Sequence, residues 1–307
     1  MHKPVLLNEL VELMGVRKGG SYVDGTVGGG GHALALIEKM GLEGWLLGID
    51  RDVDALARAA ERLSAWRSAC LLEHGDFADM IAIAASRNIE GVDGVVLDLG
   101  MSSDQVDTPE RGFSFLHEGP LDMRMDRSRG PTACDLINSL DEPALADILW
   151  RLGEEQASRR IARAIVSERQ GRPITTTAQL AEIVSRAKGG RFGKIHPATK
   201  TFQALRMAVN HELESLQRGL DGALTLVKVG GRIGVISFHS IEDRIVKQTF
   251  ARHVGRWESL QAGGREWVGE KPAAKWITRK PVTASEMELQ ENPRARSAKL
   301  RVVERLD

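Results

Sequence analysis

"YVDGTVGGGGHALALI", residues 22–37, is the stretch on which the fold turns. An apolar run ends at Asp24, four consecutive glycines follow from Gly28 to Gly31, and the next residues repeat apolar side chains at helical spacing. A strand that passes through bare backbone into a helix marks the place where open α/β sheets bind ligands, outside the carboxyl ends of their strands. Glycine accepts positive φ and lets a ligand touch the main chain, so Gly28 to Gly31 predict a small-molecule cradle. Glycine-rich turns also close ordinary loops, and the rest of the chain has to choose between the two.

Outward from the loop, "SYVDGTVG" (21–28), "GWLLGID" (44–50), "ACLLEHGDF" (69–77) and "VDGVVLDLG" (92–100) are short apolar runs, each closed by an acid or glycine. They predict buried parallel strands. "HALALIEKM" and "DVDALARAAERL" lie between them with apolar residues three and four apart. Strand therefore alternates with helix, which predicts a parallel sheet covered on both faces. "GGRIGVISFH" (230–239) predicts a fifth strand long after the fourth, and the intervening "ALADILWRLGEEQASRRIARAIVSERQ" and "TTAQLAEIVSRA" have helical spacing. The expectation is an α/β sheet domain formed by residues 1–112 and 205–307, with an inserted helical domain at 113–204 that recognises the substrate. "TFQALRMAVNHELESLQRGLDGALTLV" predicts one helix returning to the sheet, and "KWITRKPVTAS" with "RSAKLRVVERL" predicts a closing antiparallel pair.

A chain of 307 residues, 42% of them hydrophobic, can bury a sizeable core. No apolar run reaches the roughly 18 residues that span a bilayer, and acids interrupt the N-terminal stretch where a signal peptide keeps an apolar segment. The expected location is the cytoplasm. Cys70 and Cys134 form no CxxC pair, and the eight histidines show no HxxxH or HExxH spacing, so no metal is expected. Lys+Arg and Asp+Glu balance at 42 each, yet residues 1–150 hold 13 basic against 25 acidic side chains and the remainder 29 against 17. That asymmetry predicts a polyanion held by one side of the molecule.

The acids at the strand ends narrow the ligand. Asp50 closes the second apolar run, where a carboxylate accepts the hydroxyls of a ribose. Gly31-His32-Ala33 lacks the lysine of a phosphate-binding loop. Asp24 at the loop entrance repels a pyrophosphate but suits a ligand bearing a sulfonium and an amino group. Asp76 and Phe77 close the third run, offering a carboxylate to an adenine amino group and a wall to its ring. Together these favour S-adenosylmethionine. Asp52 and Asp54 predict the start of the next helix instead.

"DLGMSSDQVDTPERGFSFLHEGPLDMRMD" (98–126) resembles the signature of the bacterial small-subunit ribosomal RNA cytosine-N4 methyltransferases. "HKPVLLNE" (2–9), "DGTVGGGGH" (24–32), "GIDRD" (48–52), "HPATKTFQALRMAVNHEL" (196–213), "GGRIGVISFHSIEDRIVK" (230–247) and "TRKPVTASEMELQENPRARSAKLRVVER" (278–305) resemble the same family in the same order. The resemblance implies a class I, Rossmann-like S-adenosylmethionine-dependent enzyme. It implies methylation of the exocyclic N4 of a cytidine in the decoding centre of 16S ribosomal RNA, within the small (30S) subunit. Cofactor contacts carry over to Gly30, Gly31, His32, Asp50, Phe77, Asp98 and Gln105. Met101 and Asp104 depart from the family's usual "DLGVSSPQ", and loss of the proline predicts a looser loop.

Cytosine N4 is a poor nucleophile because its lone pair is delocalised into the ring, so the site must accept its N–H bonds. Many amino-methyltransferases use an Asp/Asn-Pro-Pro-aromatic loop after the fourth strand. Here that place reads Asp98-Leu99-Gly100-Met101-Ser102-Ser103, and Asp98 with Ser102 or Ser103 is expected to supply the acceptors. Asp98 serving only the methionine end of the cofactor is the alternative. Phe113 and Phe115 offer stacking to a flipped base, or form a core face. His239, Ser240 and Arg244 offer contacts to base or phosphate. The phosphate track is expected from Arg111, Arg124, Arg127, Arg129, Arg191, Lys194, Lys200, Arg206, Arg279, Lys280, Arg294, Arg296 and Lys299. The rival readings are methylation of another nucleic acid or a protein amine, and a ribosome-assembly factor that binds the cofactor without turnover.

Overall fold

The computed structural model describes residues 4–190, 196–259, 265–268 and 272–306. The chain forms two compact units, Met1–Gly100 with Glu214–Asp307, and Met101–Leu213. The first holds strands β1 (Ser21–Asp24), β2 (Trp45–Asp50), β3 (Cys70–His74), β4 (Val92–Asp98), β5 (Val227–Ser237), β6 (Arg256–Ser259), β7 (Arg265–Val268), β8 (Ala274–Trp276) and β9 (Lys299–Arg305). Seven of these build one sheet in the order β3-β2-β1-β4-β5-β9-β8, while β6 and β7 pair separately. The first five strands run parallel and β9 returns antiparallel between β5 and β8. The expected α/β sheet and its closing antiparallel pair are both present.

Side chains alternate across a strand, and here both faces are covered. Tyr22, Leu46, Val96 and Ile236 join one core with Leu10, Ala33, Leu36, Ile37 and Ala59. Their neighbours Val23, Leu47, Val95 and Val235 join the other with Met80, Leu216, Leu220 and Phe250. Parallel strands buried on both faces read as continuous apolar runs, which is why four of them were legible. Tyr22, the chain's one tyrosine, is 1% exposed and its hydroxyl accepts the Arg17 backbone N–H at 2.8 Å. Burial first, then the nearby Asp93, raises its pKa against the pull of Arg17 and Arg232.

Two expectations need correction. β3 lies at the sheet edge and none of its residues is fully buried, so "ACLLEHGDF" owes its apolar character to one covered side only. The single returning helix is two, Thr199–Val209 and Glu212–Leu226. His211 takes a left-handed φ of 50°, and the Asn210 amide beside it donates to the Met123 carbonyl at 2.8 Å and accepts the Met125 N–H at 2.8 Å. Those bonds tie the break to the loop that precedes the insertion's helices.

The second unit packs helices Ala133–Ser139, Glu142–Gly153, Ser158–Gly171, Thr177–Ala187 and Thr199–Val209 around Leu145, Leu149, Ile161, Ile165, Leu180, Val184, Phe202 and Leu205. Capping boxes at Thr132 and Thr176 fix two of the helix starts. No helix among the described residues is long and apolar enough to cross a membrane.

Candidate active site

The carboxyl ends of β1, β2 and β4 bring Asp24, Asp50 and Asp98 to one end of the sheet. The loop after β1 is organised by those acids. The Gly28 N–H donates to Asp50 Oδ2 at 2.8 Å and the Asp52 N–H to Oδ1 at 2.9 Å. Thr26 donates its N–H to Asp24 Oδ1 at 3.1 Å, and its hydroxyl oxygen accepts the Asp98 N–H at 2.6 Å. Asp52 caps helix Val53–Arg62, with Asp54 in its first turn, as expected.

The glycines divide by role. Gly30 has φ 77° and forms the N-cap of helix Gly31–Met40, a conformation that disfavours any side chain. A Cβ on Gly31 would stand 2.4 Å from Pro4 Cγ, so packing alone accounts for its lack of one. Gly29 has nothing within 4 Å of that position. The open side of the cradle therefore lies at Gly28 and Gly29.

Two oxygens stand out because buried acceptors in folded proteins are nearly always satisfied. Among the described residues no partner reaches Asp24 Oδ2 or Asp98 Oδ1. Burial pushes the Asp24 carboxyl up to about 7 against the pull of His32 and the Thr26 N–H, and Asp98 and Asp50 add repulsion. Burial, then repulsion from Glu242, pushes Asp98 up to about 7 as well. Burial also raises Asp50, opposed by its bonds to Asp52 and Gly28. His32 is buried with Nε2 2.9 Å from the Val5 carbonyl. A carbonyl only accepts, so Nε2 carries the proton and Nδ1 turns its lone pair toward Asp98 Oδ2 at 3.5 Å. Burial lowers the His32 pKa despite the nearby Asp24, which keeps the ring neutral. Sequence reading missed this pair, since nothing in the spacing links residue 32 to residue 98.

Asp76 behaves differently. Its Oδ2 pairs with Arg51 and accepts the Ser215 hydroxyl at 2.7 Å, and its Oδ1 accepts the Ala78 N–H at 2.9 Å. Burial favours the neutral acid, but the Arg51 charge and these hydrogen bonds outweigh it and hold the carboxyl below its ordinary range. Asp76 is thus committed largely to the fold, and its expected bond to adenine would have to use the second lone pair of Oδ1. Arg51 was the missed signal: a cation directly after the acid in "GIDRD". Phe77 is half-buried, with Gly25 and Gly219 each leaving room for its ring.

In the helical unit, Ser102 and Gln105 form a capping box on helix Ser103–Asp107. The Gln105 N–H donates to Ser102 Oγ at 3.2 Å and the Ser102 N–H to Gln105 Oε1 at 2.9 Å. Asp104 lies in the first turn of that helix. Ser103 is the first residue of that helix. Phe113 is 6% exposed within the core, so it is no stacking platform. Phe115 stacks on His196 at 4.4 Å and meets Phe202 edge-on. His239, in the sheet unit, caps helix Ser240–Val254 in a box with Glu242; the helix it opens carries Ser240 and Arg244.

The expected phosphate track thins out. Arg111 is buried and donates to the Arg124 and Met125 carbonyls. Arg206 is buried on Glu212, with two bonds of 2.8 Å. Arg124, Arg129 and Lys299 pair with Asp122, Asp126 and Asp243. Arg191 and Lys194 lie outside the described residues. Arg127 and Lys200 in one unit, and Arg279, Lys280, Arg294 and Arg296 in the other, are exposed. No group of three or more potential metal ligands occurs among the described residues.

With this geometry in hand, comparison adds a family. The sequence profile of the MraW methylase family matches residues 1–306. A protein of Citrifermentans bemidjiense named ribosomal RNA small subunit methyltransferase H is 48% identical, over 99% of this chain and 98% of its own. Proteins of the same name from Pelobacter propionicus and Beijerinckia indica are 49% and 52% identical, over 99% and 98% of this chain and 98% and 84% of theirs. Among solved structures, a putative methyltransferase from Streptococcus mutans in complex with SAH covers all of both chains at 9% identity, with a TM-score of 0.46.

Proposed function

The chain belongs to the MraW methylase family, and from that premise we propose that it methylates the exocyclic N4 of a specific cytidine in the decoding centre of 16S ribosomal RNA. It is an S-adenosylmethionine-dependent ribosomal RNA methyltransferase. The finer assignments are the target atom, the 30S particle as substrate, the cytoplasm as location and the helical insertion as the substrate-recognising part. They rest on the sequence resemblance and on the chemistry of the site.

The observation that carries the reading is the pair of buried, unpartnered acid oxygens, Asp24 Oδ2 and Asp98 Oδ1. Carboxyls held near neutrality by burial suit an incoming cation with N–H groups, and the open backbone at Gly28 and Gly29 gives it room. The residues present therefore fit the cofactor. When bound, S-adenosylmethionine supplies an electrophilic methyl group on a sulfonium. Asp50 would take the ribose hydroxyls on the second lone pairs of its two oxygens, and Phe77 would wall the adenine. Gly30, Gly31, His32, Asp98 and Gln105 complete the proposed set.

In this reading Asp98 would accept an N–H of the cytosine amino group, and Ser102 or Ser103 would supply a second acceptor. A carboxyl that burial pushes up to about 7 would also have the strength to take the proton that N4 must lose, because a general base works best near the ambient pH. His32, neutral and fixed by the Val5 carbonyl, turns its Nδ1 lone pair toward Asp98 Oδ2 and would accept a hydrogen bond from that acid once it has taken the proton. Labelled cofactor offered to 30S subunits, naked rRNA, DNA and total protein tests the proposal. Label should appear in 16S rRNA and digest to N4-methylcytidine; a different methylated nucleoside, or label confined to protein or DNA, overturns it.

A further inference from the structure

A hollow of about 1270 Å³ opens where helices Glu142–Gly153, Ser158–Gly171, Thr177–Ala187 and Thr199–Val209 of the helical unit converge. The first of these helices turns Leu145 and Leu149 into the core and leaves Trp150 on the hollow, 57% exposed. More than half of that indole faces solvent. Around it stand Arg159 and Arg160 in the first turn of the second helix, Lys188 at the end of the third and Lys200 in the fourth.

Charge decides what such a surface attracts. Three carboxylates share the hollow, and each already has a cation of its own: Glu155 binds Lys188 at 2.7 Å, Asp147 binds Arg151, and Glu142 binds Arg163. Lys200 Nζ donates to the Glu154 carbonyl at 2.9 Å, and no carboxylate among the described residues pairs with it. Arg159 and Arg160 are exposed, and no carboxylate among the described residues pairs with them. An exposed indole ringed by uncancelled guanidinium and ammonium groups offers a π face and phosphate ligands together.

We propose that this hollow binds an unpaired stretch of ribosomal RNA, one base stacked on Trp150 and its neighbouring phosphates on Arg159, Arg160 and Lys200. The proposal rests on the reading of the chain as an rRNA methyltransferase. Only unpaired nucleotides present a free base face to an aromatic side chain, so a double helix does not fit. The hollow exceeds the roughly 300–1,000 Å³ of a pocket for one small ligand, which suits a run of nucleotides.

The test uses the full chain with Trp150→Ala and with the double variant R159Q/R160Q, titrated against naked 16S rRNA and against 30S subunits at several salt concentrations. Calorimetric binding of S-adenosylmethionine, which should stay at the wild-type value, shows that the sheet unit is folded, and a far-ultraviolet circular dichroism melt matching the wild type shows the same of the helical unit. Trp150→Ala should weaken RNA binding about tenfold with an unchanged salt slope. The double variant should reduce the slope of log affinity against log salt by about 1.4. Wild-type affinity and slope in both variants overturn the proposal while leaving the enzymatic reading intact. Loss of 30S binding with naked-RNA binding retained also overturns it, in favour of a ribosomal protein as occupant. If the wild-type chain transfers no methyl group to any ribosomal RNA, both readings fall together.

Discussion

The tips of β3 and β4 each carry an acid, and the two acids have opposite surroundings. Asp76 has both oxygens occupied and a carboxyl pulled below its ordinary range. Asp98 has an oxygen that no hydrogen-bond partner among the described residues reaches and a carboxyl pushed up to about 7. Residue type and place in the fold are alike; the difference is Arg51, one strand over, which neutralises the first and not the second. An acid supplied with its own counter-ion holds the fold together. One left without it is where an incoming cation or N–H gains most, because the cost of burying the charge has already been met by folding.

The sharpest way to break this contrast is Asp98→Asn, which keeps the shape and removes the charge. Single-turnover methyl transfer should fall about 10²–10⁴-fold while calorimetry still records cofactor binding; near-wild-type turnover would place Asp98 with Asp76 among the structural acids. Arg51→Ala makes the converse change. It strands Asp76 and should cost about 3 kcal/mol of stability at pH 7, read by urea unfolding. A depressed carboxyl pKa stabilises the fold above the unfolded pKa and ceases to do so as pH falls through the folded value. The gap between variant and wild type should therefore close in acid.

Asp24 tests the other side. A raised carboxyl pKa means that the folded state binds more protons than the unfolded one between about pH 4 and pH 7, so ligand-free stability declines as pH rises through that window. Asp24→Asn should lift the ligand-free melting temperature at pH 8 by several degrees, roughly 1 kcal/mol or more, and weaken the cofactor about tenfold. For the wild type, cofactor affinity should rise from pH 6 to pH 8, with proton release that calorimetry in buffers of different ionisation enthalpy detects. The smallest effect separates two adjacent roles in the glycine loop. Gly31→Ala should lose about 1–3 kcal/mol through its clash with Pro4, whereas Gly29→Ala should leave stability within about 0.5 kcal/mol and lower cofactor affinity only.

Much of this was legible beforehand, because the sheet advertises itself. Strands buried on both faces are apolar throughout, and helices between them repeat at three and four, so β1, β2, β4 and β5 were readable. β3 misled because an edge strand keeps enough apolar residues for one face. The break at Asn210 and His211 was invisible, since it depends on the Met123 carbonyl and the Met125 N–H, nearly ninety residues away, that no local pattern encodes. At the site, the identities of the acids were legible but their partners were not: Arg51 and Ser215 on Asp76, and His32 facing Asp98. Charge misled most. The halves of the sequence differ sharply, but assigned to the folded units the basic and acidic residues number 26 against 27 and 16 against 15. Two near-neutral units point to local patches, not a polarised molecule, as the means of holding a polyanion.

Tyr22 gives the sheet an optical handle. As the sole phenol in the chain, buried in the first strand two residues before Asp24 and ionising above its usual range, it should titrate at higher pH in the folded protein than after the strand comes apart. The ultraviolet band of its phenolate, read at a pH between the two titrations, is therefore a label-free report on the strand that carries the cradle, in a protein with six tryptophans to crowd its fluorescence.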